Sequence, residues 1–426
     1  MITGPPIILL GIDSPIGLAL VRELGRAGIE VHGIAAERRG LGLYSRGLHA
    51  GYLQPADEAG TLALLRRIVR RHGARFVTAV SMRDCLWLRD AADAGQLPGL
   101  KPLLAGADTL RLVNDKAAIA GVAERLGIET PRTWQPRLAD LAGELPDLDY
   151  PAVLKWRDPE RAVAPLATAG LDLLKTDYAH GPAELRAVLE RYRPAGILPM
   201  VQAYVPGRGL GQMFVMKDGA AVLRFQHRRL HEWPPEGGVS TLCESVAADA
   251  HPDLMARSEA LLREIGWEGP AMVEYRHDEA TGRAVLMEIN GRFWGSLPLA
   301  FHAGAPFALA TYCALGLNRP LPPLPPYKAG VKSRFLIPET RRLLRLLFAQ
   351  RRIPDRTLRW SRAGELGAYV KGCVDGTRHY VWSWRDPAPM LVDIAFVLRR
   401  IARALASSIP IPRLAKQSGR PERLKI

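Results

Sequence analysis

The sequence predicts an α/β protein, with a parallel α/β domain at the N-terminus, an α+β middle part and a basic, mainly helical C-terminal region. Three observations predict this. Apolar strands and amphipathic helices alternate over the first hundred residues, two pairs of short strands joined by tight turns lie between residues 213 and 289, and a proline run, Pro320–Pro326, precedes an arginine-rich segment. Alternation builds a doubly wound parallel sheet, whereas adjacent strands with short turns build antiparallel hairpins. At 426 residues the chain has length for two or three domains around buried cores.

In chain order, Ile7–Leu10 reads as a buried strand, and Gly11-Ile-Asp-Ser-Pro-Ile-Gly17 leads into an amphipathic helix to about Ala27. Glu30–Ile34 is a second strand, Glu58–His72 a long helix, Arg75–Val80 a third strand and Arg83–Ala94 another helix. Asp13 breaks the G-x-G-x-x-G pattern of dinucleotide sites, so Glu37, where a ribose-binding acid would sit, is not read as one. Asp84, at a helix start after a strand, reads as a cap or a substrate-side residue rather than a catalyst. Asn114 or Asp115 caps a helix that runs to Leu126 and stops at Gly127. Tyr150–Trp156 is a strand carrying Lys155 near its end, and a variable loop, Arg157–Gly170, follows. The pattern then predicts a strand over Leu171–Thr176, a helix over Ala183–Tyr192 and a strand over Ile197–Ala203. Met213–Met216 and Ala221–Phe225 form a hairpin, Pro252–Ile265 a helix, and Ala271–Tyr275 with Val285–Ile289 a second hairpin about the turn His277–Gly282. The domain boundaries read from this are 1–107, 108–319 (with a small lobe at about 151–205) and 320–426.

The second hairpin carries the chemistry. Strand side chains alternate faces, so Glu288, Asn290 and Arg292 point the same way. A carboxylate and an amide oxygen on one face suit a hard, oxygen-seeking ion such as Mg²⁺. An arginine beside them suits the phosphate that such an ion carries. Glu274, on the neighbouring strand, faces Glu288 across the hairpin. A solvated strand face is the bland alternative. The aliphatic neighbours and the Gly-Arg-Phe-Trp-Gly turn that follows argue against it.

Glu274 together with Glu288-x-Asn290-x-Arg292 resembles the metal-and-phosphate signature of the ATP-grasp superfamily. The resemblance extends upstream in the family's order. Lys116 opens an Asn-Asp-Lys helix start, Lys155 ends a Val-Leu-Lys strand, and Val201-Gln-Ala-Tyr-Val-Pro-Gly207 stands in place of the adenine-binding hinge. What this implies is a two-lobed ATP-grasp fold between the terminal regions, with ATP and Mg²⁺ (Mn²⁺ as a substitute) as cofactors. Glu274, Glu288 and Asn290 would ligate the metal, and Lys116 and Lys155 would reach the α- and β-phosphates. Gln202, Ala203, Tyr204 and Val205 would meet the adenine, although Ala203 stands where the family often has Glu and Gly209 where an acid often contacts ribose. Arg224–Ser245 resembles a subset of ATP-grasp ligases with a His-Arg-Arg … Pro-Pro-x-Gly-Gly loop. There Arg228 or Arg229, with Arg292, would hold an acyl phosphate or a substrate carboxylate, and Gly237 and Gly238 would bring backbone N–H groups to an anion. The implied activity is ATP-dependent joining of a small-molecule carboxylate to an amine through an acyl phosphate, releasing ADP. The alternatives are carboxyphosphate or carbamoyl-type chemistry, or a non-catalytic nucleotide binder.

Composition excludes other classes. Hydrophobic residues make up 48% and charged residues 24%, as in globular proteins, and no apolar run approaches the roughly 18 residues that span a bilayer. No basic region precedes the first strand, so a signal peptide is not expected and the compartment is read as cytoplasmic. Cys85, Cys243, Cys313 and Cys373 are isolated, which reads as buried thiols rather than zinc ligands or disulfides. The formal charge of +15 implies acidic partners. Nucleic acid is not expected, since no aromatic–basic interleave is present. Arg341–Arg352 and Met390–Leu405 are basic and amphipathic. Packing against the core is favoured over peripheral membrane contact, because both helices are short and lack a lipidation signal. The sequence leaves the oligomeric state open.

Overall fold

The computed structural model describes residues 2–174, 176–353, 355 and 360–408. The first hundred residues build a parallel sheet of β1 (Ile7–Leu10), β2 (Val31–Ala35), β3 (Ala50–Leu53), β4 (Phe76–Ala79) and β5 (Lys101–Pro102), in the order β3-β2-β1-β4-β5. Helices α1 (Pro15–Arg26), α2 (Glu58–His72) and α3 (Met82–Asp93) connect them. Both faces of the central strands are covered: Ile8 and Leu10 pack in one core cluster, Ile7 and Leu9 in another. Edge strands β3 and β5 were not expected, because four half-exposed residues and a Lys-Pro pair carry no strand pattern of their own. Helix starts follow local capping, with Ser14, Asp57 and Ser81 accepting the amides of Gly17, Gly60 and Asp84. Asp84 completes its cap by accepting the Ser81 hydroxyl at 2.6 Å. Asp13 accepts the amides of Ala36 and Glu37 at 2.9 and 3.1 Å, tying the first loop to the end of β2.

Helices α4 (Ala107–Asn114) and α5 (Lys116–Arg125) lead into a small sheet. It contains β6 (Thr133–Trp134), β7 (Ala152–Lys155), β8 (Asp177–Ala179) and β9 (Met200–Ala203), ordered β6-β9-β7-β8, and carries α6 (Pro159–Thr168) and α7 (Pro182–Tyr192). Two expectations are corrected here. Arg157–Gly170 is not a loop but largely α6, whose cap Asp158 and first-turn Pro159 are an ordinary helix start that the sequence reading passed over. The strand expected over Leu171–Thr176 falls instead at Asp177–Ala179, where Ala152 pairs with Ala179 and Leu154 with Asp177. The partner strand β7 selects that register, not the apolar run Leu171–Leu174, which lies outside any regular element; Lys175 is outside the described residues.

The large sheet contains β10 (Arg208–Lys217), β11 (Ala220–Trp233), β12 (Val239–Ser245), β13 (Gly269–His277), β14 (Ala284–Asn290), β15 (Lys332–Arg334) and β16 (Arg378–His379). Their order is β14-β13-β10-β11-β12-β15-β16, antiparallel except for the last pair. Helices α8 (Pro252–Glu264), α9 (Leu297–Ala303) and α10 (Phe307–Thr311) pack on it. Helix α1 packs against α9 and α10, and Glu23 accepts the Leu309 amide at 2.8 Å, which joins the N-terminal sheet to the large one.

Described residues after the proline run add to the large sheet. β15 and β16 extend the large sheet, and α11 (Leu336–Phe348) packs on β11 and β12, burying Glu339, Arg342, Leu343 and Leu346. Helix α12 (Arg362–Val374) buries none of its residues, so Cys373 is exposed, contrary to the reading of four buried thiols; Cys85, Cys243 and Cys313 are buried. Helix α13 (Ala388–Ser408) takes up the second basic segment, and 409–426 lie outside the described residues. Among the described residues no single helix is long and apolar enough to cross a membrane.

Candidate functional site

One cleft is lined by residues of the small and large sheets together. Lys116, Lys155, Gln202, Ala203, Tyr204, Val205, Arg229, Glu274, Glu288, Asn290 and Arg292 all border it. Its acidic wall is set by strand register: Glu274 opposes Glu288, and Gly211 of β10 opposes both Glu274 and, on its other side, His227 of β11. Tyr275 pairs with Leu286, so Met287 is an extra residue that kinks β14 beside the two carboxylates. Asn290 Nδ2 donates to Glu288 Oε1 at 3.2 Å, which leaves Asn290 Oδ1 as its acceptor for an ion. β14 ends at Asn290, so Arg292 borders the cleft from the following turn and not as the next strand position.

Arg228 and Arg229 part company. Strand alternation turns Arg228 away from the cleft, where it pairs with Glu244 at 2.8 Å and Glu279 at 3.1 Å. Arg229 turns inward, forms an ion pair with Glu274 and lies 3.8 Å from Glu232. Burial alone would lower the Arg229 pKa, but Glu274 and Glu232 outweigh it and hold the group above its ordinary value. Two glycines, Gly209 and Gly211, clear the way. A Cβ at Gly209 would sit 2.7 Å from Arg229 Cδ, and one at Gly211 would sit 2.5 Å from His227 Nε2. Their signal is a Gly-x-Gly on one strand opposite bulky side chains on the next, visible only once the register is known. His227 itself is fully buried, and burial with the Arg229 charge pushes its pKa down to about 3. It is a neutral packing group.

A cross-tie brings the two lysines together. The Lys116 amide donates to the Arg157 carbonyl at 3.2 Å, and Asn114 Nδ2 donates to Asp158 Oδ1 at 2.6 Å. Between them, Asp115 caps α5 through the amides of Ala117 and Ala118 and accepts Arg157 Nε and Nη2 at 2.8 and 2.6 Å. The start of α5 is thus fastened to the end of β7. Lys116 Nζ lies 3.4 Å from Glu288 Oε2. Lys155 is desolvated; that effect and the charge of Lys116 outweigh the pull of Glu288 and Glu274, and its pKa falls to about 8. Asp115→Ala removes cap and ion pair together, and a loss of about 1–2 kcal/mol is expected in urea unfolding. Asp115→Asn, which keeps the cap acceptor, is expected to retain most of that stability.

Known proteins share this architecture. No protein-family model matches the chain. A D-alanine–D-alanine ligase from Acidiphilium cryptum (strain JF-5) is 30% identical over 110 residues, which cover 25% of this chain and 36% of the relative. The chain therefore spans about a third of the length of that curated relative. The crystal structure of an L-amino acid ligase from Bacillus licheniformis superposes with a TM-score of 0.55 at 15% identity, over 74% of this chain and 75% of that one. The biotin carboxylase domain of Hydrogenobacter thermophilus 2-oxoglutarate carboxylase, in complex with MgADP, ADP and bicarbonate, gives 0.55 at 14% identity, over 76% and 73%. This chain has the ATP-grasp fold.

At the cleft the segment after β9 crosses from the small sheet to β10 of the large sheet. Gln202 Nε2 donates to Thr133 Oγ1 at 3.1 Å, and the Ala203 amide donates to the Arg132 carbonyl at 2.9 Å. The Ala203 donor is therefore committed within the small lobe and not offered to a ligand. The β11–β12 loop corrects a further expectation. Gly237 N–H donates to the Pro234 carbonyl and Gly238 N–H to Glu232 Oε2, both at 3.1 Å, so both amides close the loop itself and do not face an anion. Gly237 has φ +131°, a conformation that favours glycine. The Tyr178 hydroxyl donates to the Glu236 carbonyl, which fastens this loop to the small lobe. Glu236 Oε1 accepts from Arg345 of α11 at 2.9 Å, whereas its Oε2 is buried without a partner at the cleft. Tyr178, Glu232, Glu236 and Arg276 also border the cleft and carried no signal in the sequence reading.

Proposed function

We propose that this chain is an ATP-dependent carboxylate–amine ligase that forms an amide through an acyl phosphate and releases ADP and phosphate. The observation that carries the reading is the opposed pair Glu274 and Glu288 with Lys116, Lys155 and Arg229 around it. Two carboxylates and an amide oxygen are a hard donor set that fits Mg²⁺, with Mn²⁺ as a substitute, and the lysines are counter-charges that a triphosphate requires. Bound ATP and its ion supply the phosphoryl group and neutralise part of its charge. Glu274, Glu288 and Asn290 hold the ion, while Lys116 and Lys155 bind the α- and β-phosphates. With the Ala203 amide committed to Arg132, adenine recognition falls to the backbone of Tyr204 and Val205, and Gln202 positions the hinge through Thr133. Arg292 and Arg229 hold the substrate carboxylate and then the acyl phosphate, Arg229 exchanging its Glu274 partner for the substrate. Attack of the amine on the acyl carbon breaks the bond to phosphate and leaves the amide.

The likeness to an L-amino acid ligase and the partial match to a D-alanine–D-alanine ligase support this class. A bicarbonate-bound carboxylase domain of the same fold supports a second reading, carboxyphosphate chemistry. The test is a turnover screen with amino acids, peptides and sugar acids paired with amines. ADP and phosphate released only when both substrates are present support the ligase; AMP release sinks the acyl-phosphate route, and bicarbonate-dependent ADP release selects the second reading. The unpartnered Glu236 Oε2 suits a substrate ammonium. Glu236→Gln is expected to raise the KM for the amine about 10-fold or more with a smaller change in kcat, as loss of one charge-assisted hydrogen bond predicts.

A further inference from the structure

Four metal-binding side chains converge at the amino edge of the parallel N-terminal sheet, and none of them borders the ATP-grasp cleft. Glu30 immediately precedes β2, His32 lies in β2, His49 immediately precedes β3 and His72 ends α2. One ligand atom from each falls within 4.8 Å of all the others. Glu30 Oε1 lies 2.9 Å from His32 Nε2, 3.2 Å from His49 Nε2 and 3.9 Å from His72 Nδ1. Tetrahedral Zn²⁺, with bonds of about 2.0–2.1 Å to nitrogen and oxygen, holds its ligand atoms about 3.3 Å apart. The three distances bracket that value.

An outer shell is also present. The Tyr52 hydroxyl lies 3.3 Å from His32 Nδ1 and 3.5 Å from His72 Nε2, the ring nitrogens turned away from Glu30. One phenolic oxygen has two lone pairs and can accept an N–H from each ring. With an ion bound, that arrangement would hold both imidazoles in the tautomer whose inner nitrogen carries a free lone pair, as a ligating histidine requires. Simple packing does not explain the cluster, because the His49 side chain is half exposed and gains little from burial there.

We propose that Glu30, His32, His49 and His72 form a tetrahedral Zn²⁺ site. Three imidazoles and a carboxylate suit Zn²⁺ rather than Mg²⁺. Four protein ligands leave no open position, so the role is structural: the ion clips the short edge strand β3 and the end of α2 to β2. No step of the ligase reading depends on it.

The test uses full-length protein without a histidine tag, stripped with EDTA and titrated with ZnCl₂ in excess Mg²⁺. Expected are one saturable equivalent of zinc, a rise of several degrees in the thermal midpoint, and the intense visible bands of tetrahedral Co²⁺ on cobalt loading. His49→Gln and His72→Gln are expected to abolish those bands, and Tyr52→Phe to keep the stoichiometry while weakening affinity about 10–100-fold. Glu288→Ala, in the cleft, is expected to bind zinc like the parent. Sub-stoichiometric zinc, a weak octahedral Co²⁺ spectrum, or full binding by His49→Gln would overturn the site. His49 is exposed, so that variant separates lost ligation from misfolding.

Discussion

Glu288→Ala is expected to lower substrate-dependent ADP release by at least about 10³-fold at saturating ATP and Mg²⁺. Glu288 is the residue on which the cleft's charges converge: it opposes Glu274, accepts from Asn290 and lies 3.4 Å from Lys116. In the proposed ligase its removal takes a ligand from the ion, and it takes a counter-charge from both lysines. An unchanged thermal midpoint would assign the loss to chemistry rather than folding, and ADP release within tenfold of the parent would sink the metal assignment. A second effect follows. Glu288 is the largest of the charges that raise the Lys155 pKa against desolvation. Without it the Lys155 pKa falls further, so nucleotide affinity in the variant is expected to fail at a lower pH than in the parent.

Lys155→Met is expected to act in opposite directions on stability and on nucleotide binding. In the folded protein the Lys155 pKa is lowered from 10.5 to about 8, so between those values the unfolded chain binds more protons than the folded one. Stability from this group therefore rises with pH across that window, and below about pH 8 the desolvated ammonium is a constant cost. Methionine removes that cost, and the ligand-free variant is expected to unfold a few degrees higher at pH 7. ATP reverses the sign, because its phosphates favour the charged lysine. Binding to the parent at pH 8 is expected to take up about half a proton, and affinity to fall as pH rises through 8. Calorimetry in two buffers of different ionisation enthalpy reads the proton directly. In Lys155→Met the uptake should vanish and affinity should drop about 10–100-fold; undiminished uptake would remove Lys155 from the nucleotide site.

Much of this cleft was legible because its signals are local. Strand alternation and a two-residue period are written into Glu288-Ile-Asn290, and the helix start at Asn114-Asp115-Lys116 is read from capping preference alone. The strand at Leu171–Thr176 failed for the complementary reason: an apolar run marks a strand only when a neighbour accepts it, and β7 accepts Asp177–Ala179. The same holds for β15 and β16, whose few residues become strands by docking on the edge of the large sheet.

By itself the sequence determined which residue types border the cleft proposed to hold the phosphates and the ion, and their order along the chain, since period and capping act within a few residues. Only the tertiary structure decided that Arg229 and not Arg228 enters the cleft, that Gly209 and Gly211 give Arg229 and His227 their room, and that the Ala203 amide belongs to Arg132. It also gathered His32, His49 and His72 around Glu30 from separate elements, at spacings that match no metal motif. Those outcomes depend on which strand lies beside which and in what register, a choice made by burying many residues at once.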